Sequence, residues 1–286
     1  SDGGGGTWTS SNPPIATINL FSGVVLGGTA GTTVITYTLS TGCIATTTVT
    51  VNPGPPAIAG PTSVCVGSTV TLSDAATGGT WASSNPAVAT IGSITGLVTG
   101  ITNGTVNITY TATTGCKATA FMTVNALPGP ITGSTNVCVG STTILSDAGT
   151  GTWQSGNTAV ATVGTTSRIV TGIAAGTAPI TFTLLSTGCM RTTTVTVDPA
   201  PAGITGIAPL CVGNTLTLSD ATAGGTWASS NTTVATIGSS TGLVTAGIPG
   251  TTVISYRLTS TGCQSTGSLT VNSLPSTISG TTSVCE

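Results

Sequence analysis

Val106-Asn-Ile-Thr-Tyr-Thr-Ala112 puts Ile108 and Tyr110 on one face of an extended chain, and Asn107, Thr109 and Thr111 on the other. That alternation, with a period of two residues, is the mark of a half-buried β-strand. Upstream, Gly79-Thr80-Trp81 opens a short strand that stops at Ser84-Asn85-Pro86. Val88-Ala-Thr-Ile91 and Leu97-Val-Thr99 are two more short strands, joined by a Gly/Ser/Thr turn. Val70-Thr-Leu72 precedes them and breaks at Ser73-Asp74; after Tyr110 the chain turns at Thr114-Gly115 and runs back from Ala118 to Val124. Seven short strands with turns every 8–12 residues or so predict a β-sandwich. Gly, Pro and β-branched residues dominate and no 3.6-residue apolar stripe appears, so helices are not expected.

The pattern recurs. Trp8, Trp81, Trp153 and Trp227 lie 73, 72 and 74 residues apart, and Tyr37, Tyr110, Phe182 and Tyr256 each follow their Trp by 29. The cysteines form two series on the same interval: 43, 116, 189 and 263, and 65, 138, 211 and 285. Three markers sharing one period define a tandem array. Each Trp and its aromatic partner are assigned to the core, one from each of two paired strands. Burying a large aromatic stabilises by roughly 2–3 kcal/mol, and a repeat of about 73 residues has little stability to spare.

Composition removes several function classes. The 286 residues include four Lys/Arg, six Asp/Glu, no His and 67 Thr, with a net charge of -2. There is no basic patch for nucleic acid and no apolar run of the ~18–20 residues that a spanning helix needs. Without His there is no His-based triad, no imidazole metal site and no usual general base near neutral pH. Asp74, Asp147 and Asp220 recur in Leu-Ser-Asp-Ala, with Asp2 at the matching place. One carboxylate per repeat suits a turn cap better than a calcium site, which needs several converging oxygens. Lys117, Arg168, Arg191 and Arg257 are not matched between repeats and read as solvated positions. Sequons at Asn103, Asn107 and Asn231 are expected by chance in so Thr-rich a chain. No catalytic residue, cofactor or metal is expected.

The run Trp81-Ala-Ser-Ser-Asn-Pro-Ala-Val-Ala-Thr-Ile91, then Gly96-Leu-Val-Thr-Gly100, then Gly104-Thr105 and Ile108, resembles bacterial immunoglobulin-like (Ig-like) repeats, as in adhesin stalks of the invasin and intimin type. The Ser63-Val-Cys-Val-Gly67 start and the Ser-Thr-Gly-Cys hairpin are similar to repeats in giant surface proteins of Bacteroidota. The resemblance implies an all-β tandem array of Ig-like sandwiches, an exported protein, and a structural or adhesive role without catalytic residues. The expected divisions are a truncated repeat at 1–53, repeats at 54–127, 128–200 and 201–275, and the opening strand of a further repeat at 276–286. Short Pro-stiffened joints separate them at Asn52-Pro-Gly-Pro-Pro56, Leu127-Pro-Gly-Pro130, Asp198-Pro-Ala-Pro201 and Leu274-Pro275. Strands of seven to nine residues make each unit roughly 30 Å long and the array a rod on the order of 120 Å. Two explanations of the out-of-phase ends stay open: an excerpt of a longer array, or a subunit joined head to tail by strand exchange.

Eight cysteines beside so few other reactive groups suggest an oxidising, extracellular compartment. Zinc is disfavoured, since no Cys-x-x-Cys or His is present. Three pairings remain open. Pairing within a repeat gives Cys65–Cys116, Cys138–Cys189 and Cys211–Cys263. Pairing across each linker joins Cys43–Cys65 and its equivalents through Cys285. In a plain Ig topology the first-strand end and last hairpin lie at opposite poles, which favours bonds between neighbouring units such as Cys65–Cys189.

A nearly uncharged Thr-rich surface has little to resist association, and its strand edges lack the usual protective charges. The reading is an extracellular structural protein, a disulfide-reinforced rod or filament at a bacterial surface. Its expected partner is self, through head-to-tail copies or further repeats. The alternative is an adhesin stalk or binding module for a glycan, a host surface or a neighbouring surface.

Overall fold

Alternation becomes strand wherever it occurs: Val106, Ile108 and Tyr110 are buried while Asn107 between them is exposed. The computed structural model describes residues 5–280, and the chain divides between Leu127 and Pro128 into two compact units. No helix occurs among the described residues. Among those residues, therefore, no helix is long and apolar enough to cross a membrane.

The first unit begins with five strands: β1 (Thr7–Ser10), β2 (Ala16–Ile18), β3 (Val25–Gly27), β4 (Gly31–Thr38) and β5 (Ile44–Val51). Seven follow: β6 (Ser63–Cys65), β7 (Thr69–Thr71), β8 (Thr80–Ser83), β9 (Ala89–Ile91), β10 (Leu97–Gly100), β11 (Gly104–Thr111) and β12 (Lys117–Asn125). These seven form a four-stranded sheet, β6-β12-β11-β8, and a three-stranded sheet, β7-β10-β9. All neighbours are antiparallel except β6, which runs parallel to β12 with Cys65 opposite Asn125. Side chains from both sheets, among them Val64, Val98, Ile108 and Met122, share one core.

The second unit contains the pattern twice. Its first copy comprises β13 (Asn136–Cys138), β14 (Thr142–Ile144), β15 (Gly151–Ser155), β16 (Ala161–Val163), β17 (Ile169–Gly172), β18 (Gly176–Leu184) and β19 (Met190–Asp198). The other comprises β20 (Leu210–Cys211), β21 (Thr215–Thr217), β22 (Gly225–Ser229), β23 (Ala235–Ile237), β24 (Leu243–Ala246), β25 (Gly250–Leu258) and β26 (Gln264–Asn272). Sheet order repeats as β13-β19-β18-β15 with β14-β17-β16, and β20-β26-β25-β22 with β21-β24-β23. Each set encloses its own core cluster.

The five leading strands match the last five of a full set. They form β1-β4-β5 and the two-stranded β2-β3, so among the described residues the outer edge of β5 and one edge of β3 carry no strand. Packing suffers accordingly. Val25 is 38% exposed where Val98, Val170 and Val244 are all 0%. Val49 and Val51 are only half-buried, against fully buried Met122 and Val124 in the next set.

The aromatic pairs sit side by side on one sheet and face the other. Trp81 is in register with Tyr110, Trp153 with Phe182 and Trp227 with Tyr256, each pair with ring centroids 4.8 Å apart; Trp8 and Tyr37 are 4.6 Å apart. All are buried except Trp8, which is only half-buried in the five-stranded set. Glycine is required beneath each ring. A Cβ on Gly79, Gly151 or Gly225 would sit 2.4–2.5 Å from a ring carbon of Tyr110, Phe182 or Tyr256.

Candidate functional site

The parallel pairing of the opening strand decides what the cysteines can do. Cys65, Cys138 and Cys211 end that strand opposite Asn125, Asp198 and Asn272, the last residues of β12, β19 and β26. Cys116, Cys189 and Cys263 lie in the hairpin just before the same strands begin. The two cysteines of one repeat are therefore a strand length apart, about 25–30 Å at ~3.3 Å per residue. A disulfide needs Cα atoms within about 7 Å, so pairing within a repeat is overturned by the topology.

Cys138 is bonded to Cys263 instead, with Cα atoms 5.6 Å apart. The bond runs from the opening strand of one repeat to the closing hairpin of the next. Cys65 and Cys189 are disulfide-bonded as well. Pairing across each linker is also overturned: Cys43, Cys116 and Cys211 are free thiols, so Cys43–Cys65, Cys116–Cys138 and Cys189–Cys211 do not form. Cys285, like Asp2, lies outside the described residues. Cys116 is half-buried, with its sulfur 3.9 Å from the Asn52 carbonyl oxygen.

A second recurring device holds the loop before each Trp. Tyr256 donates its hydroxyl to the Thr222 carbonyl at 2.7 Å and accepts from Gly225 N–H at 2.8 Å. Tyr110 does the same with the Ala76 carbonyl and Gly79 N–H. Asp74, Asp147 and Asp220 accept from the backbone N–H two residues on, at Ala76, Gly149 and Thr222, the turn cap expected of an Asx turn. Phe182 has no hydroxyl to contribute. Sequence reasoning missed this clamp, although a Tyr at a fixed distance from a Gly-rich turn was visible.

Buried Thr33 and Thr252 were missed too. Thr252 Oγ1 accepts from Asn231 N–H at 3.0 Å and exchanges hydrogen bonds with Ser229 and Ser230. Where Val106 and Ala178 replace it, Ser83 and Ser155 turn to the carbonyls of Ala89 and Ala161 instead. Arg168 takes the left-handed conformation (φ 65°) that Gly96 and Gly242 adopt at the matching turn. Lys117 and Arg191 are strand residues at the start of β12 and β19. Arg257 donates from Nε to the Gly262 carbonyl in the final hairpin. Among the described residues no cluster of three or more Cys, Asp or Glu is placed to hold a metal ion.

This sandwich, with its parallel opening strand and central Trp, has a named counterpart. Residues 45–122 match the bacterial Ig-like domain (group 2). The matched segment runs from β5 of the leading set into β12. No curated protein matches the chain. Among solved structures it is similar to domains 1–6 of surface layer protein SbsC, at 16% identity and a TM-score of 0.25 over 94% of this chain and 50% of that one. It is also similar to invasin, described as a bacterial integrin-binding protein, at 16% identity and a TM-score of 0.32 over 93% of this chain and 72% of that one. A third is the C-terminal fragment of intimin in complex with the translocated intimin receptor, at 16% identity and a TM-score of 0.30, covering 51% of this chain and 64% of the other. The chain spans about half the length of the surface-layer structures it matches.

Proposed function

We propose that the Ig-like repeats of this chain form a disulfide-reinforced rod or filament outside the cell, at a bacterial surface. The observation that carries this reading is the Cys138–Cys263 bond. It joins the first strand of one sandwich to the last hairpin of the next, and so limits how far tension can separate the two. The Asp198-Pro-Ala-Pro201 joint between them is short and Pro-stiffened. Covalent bridges and stiff joints give resistance to bending and extension, a mechanical rather than chemical role. The scarcity of charge, 3% of residues, supports the same reading, because a neutral Thr-rich surface favours lateral and end-to-end association. A role outside the cell is consistent with disulfides, which persist in oxidising compartments.

Negative-stain electron microscopy of native, unreduced material beside a reduced sample tests the proposal. Long filaments that shorten or fall apart on reduction are the expected result. Compact particles, indifferent to reductant, would refute it.

A further inference from the structure

The set β13–β19 departs from the sets β6–β12 and β20–β26 around one groove. Four of its differences line that groove, which has a volume of about 370 Å³. Arg168 stands where the other two sets have Gly96 and Gly242, and Phe182 where they have Tyr110 and Tyr256. Leu185 replaces Thr113 and Thr259, and Gly149 replaces Ala76 and Thr222. Phe182 lacks the hydroxyl that ties down the loop before Trp81 and Trp227. That loop is also shorter here, with Trp153 six residues after Asp147 rather than seven. Buried Trp153 and Phe182 form the floor of the groove, and exposed Leu185 forms part of its rim.

Arg168 is held in the groove at a cost. Among the described residues it is the one non-glycine residue with positive φ, at 65°, and glycine would avoid that strain. Strain kept where an unstrained residue serves in the sister repeats is a pointer to a functional site. A Cβ on Gly96 or Gly242 would stand 3.3 or 3.2 Å from Nε1 of its own Trp. The matching turn, with Leu145 N–H bonded to the Arg168 carbonyl as Leu72 N–H is to that of Gly96, therefore sets the Arg168 stem against the indole edge of Trp153. Among the described residues neither the guanidinium nor Trp153 Nε1–H has a hydrogen-bond partner. Asp147, on the same groove, has its carboxylate turned away: Oδ1 accepts from Gly149 N–H at 2.9 Å, and Oδ2 is buried. Arg168 is exposed and supplies the charge that the groove presents to solvent.

We infer that this groove binds a carboxylated sugar, a uronic acid residue of an acidic glycan. The sugar carboxylate lies against the Arg168 guanidinium, whose planar fork matches it, and accepts from Trp153 Nε1–H. Thr152 and Thr166 on the walls exchange hydrogen bonds with the sugar hydroxyls, and Leu185 covers the apolar side of the ring. The volume is at the small end of ligand pockets and suits a single sugar residue. A peptide fits less well, because Trp153 N–H is already bonded to the Thr165 carbonyl and offers no strand edge for main-chain pairing. The matching groove of the set β6–β12, about 530 Å³, is lined by no Lys or Arg, so the site belongs to one repeat rather than to all. The inference goes beyond the filament reading and does not rest on it.

Proton–nitrogen NMR of the full chain tests the site through the indole N–H signals. Adding a short galacturonic acid oligomer should shift the Trp153 signal, with saturation in the millimolar range expected of so few contacts. The Trp81 and Trp227 signals should stay in place, and a neutral galactose oligomer should shift none of them. Arg168→Gly should weaken binding about tenfold or more. Thermal unfolding of that variant should show no loss of stability, so that lost binding is not lost folding. The inference is overturned if the acidic oligomer shifts nothing, if the neutral one shifts Trp153 equally, or if Arg168→Gly binds as well as the parent chain. A shift with a glutamate-rich peptide and none with galacturonate would overturn the sugar assignment in favour of a protein partner. Each of these outcomes leaves the filament reading to be decided by microscopy.

Discussion

Removing one hydroxyl from the final sandwich tests whether the clamp before the Trp stabilises a repeat. Tyr256→Phe keeps the ring, and with it the 4.8 Å packing against Trp227. It deletes two hydrogen bonds, to the Thr222 carbonyl and from Gly225 N–H. Each is worth about 0.5–1.5 kcal/mol net, and the groups left behind are partly buried. The expected loss is about 2 kcal/mol, roughly a 30-fold shift in the folded-to-unfolded ratio. Equilibrium denaturation should register that loss, and hydrogen exchange should locate it. The Gly225 amide loses its acceptor and should exchange at least tenfold faster, while amides of β18 and β19 should not change. An unaltered unfolding midpoint together with an unaltered Gly225 exchange rate would refute the clamp.

Arg168→Gly should raise stability by about 1 kcal/mol, because a non-glycine residue at φ 65° carries a left-handed penalty that glycine avoids; no gain in unfolding midpoint would count against that account of the turn. Gly225→Ala should cost about 1–3 kcal/mol by overpacking, since the new Cβ would lie 2.5 Å from Tyr256 Cζ. Thermal unfolding checks it, and a neutral result would mean that the ring has room to move. Thr252→Val should cost less than about 1.5 kcal/mol, because Ser229 can turn to a backbone carbonyl as Ser83 does beside Val106. A larger loss by chemical denaturation would show that Asn231 N–H needs the Thr oxygen.

The repeats were legible because their signals are local and periodic. Alternation from Val106 to Ala112 specifies which face of β11 is buried, and the 29-residue offset of Trp81 from Tyr110 anticipates their pairing. The turn role of Asp74 was legible for the same reason, since its partner at Ala76 is two residues away. Disulfide pairing was legible only as one of three open alternatives: the Ig topology offered bonds between neighbouring units, the kind that Cys138–Cys263 makes, beside two pairings that do not form. Spacing along the chain is similar for every repeat and says nothing about which pole of a sandwich a cysteine occupies. That depends on β6 running parallel to β12, a long-range choice, and on how one sandwich follows the next. The buried Thr252 escaped for another reason. One position in a strand rich in outward-facing Thr looks like the rest, and its inward direction is set by Ser229, Ser230 and Asn231, over twenty residues earlier.

The claim on which the account depends is that opening strands are stapled to the hairpin of the following repeat. Peptide mapping of the unreduced chain tests it most directly. The account predicts a linked pair of peptides containing Cys138 and Cys263. Recovery of Cys138–Cys189 or Cys211–Cys263 would contradict it, since either bond would have to bridge the length of a sandwich.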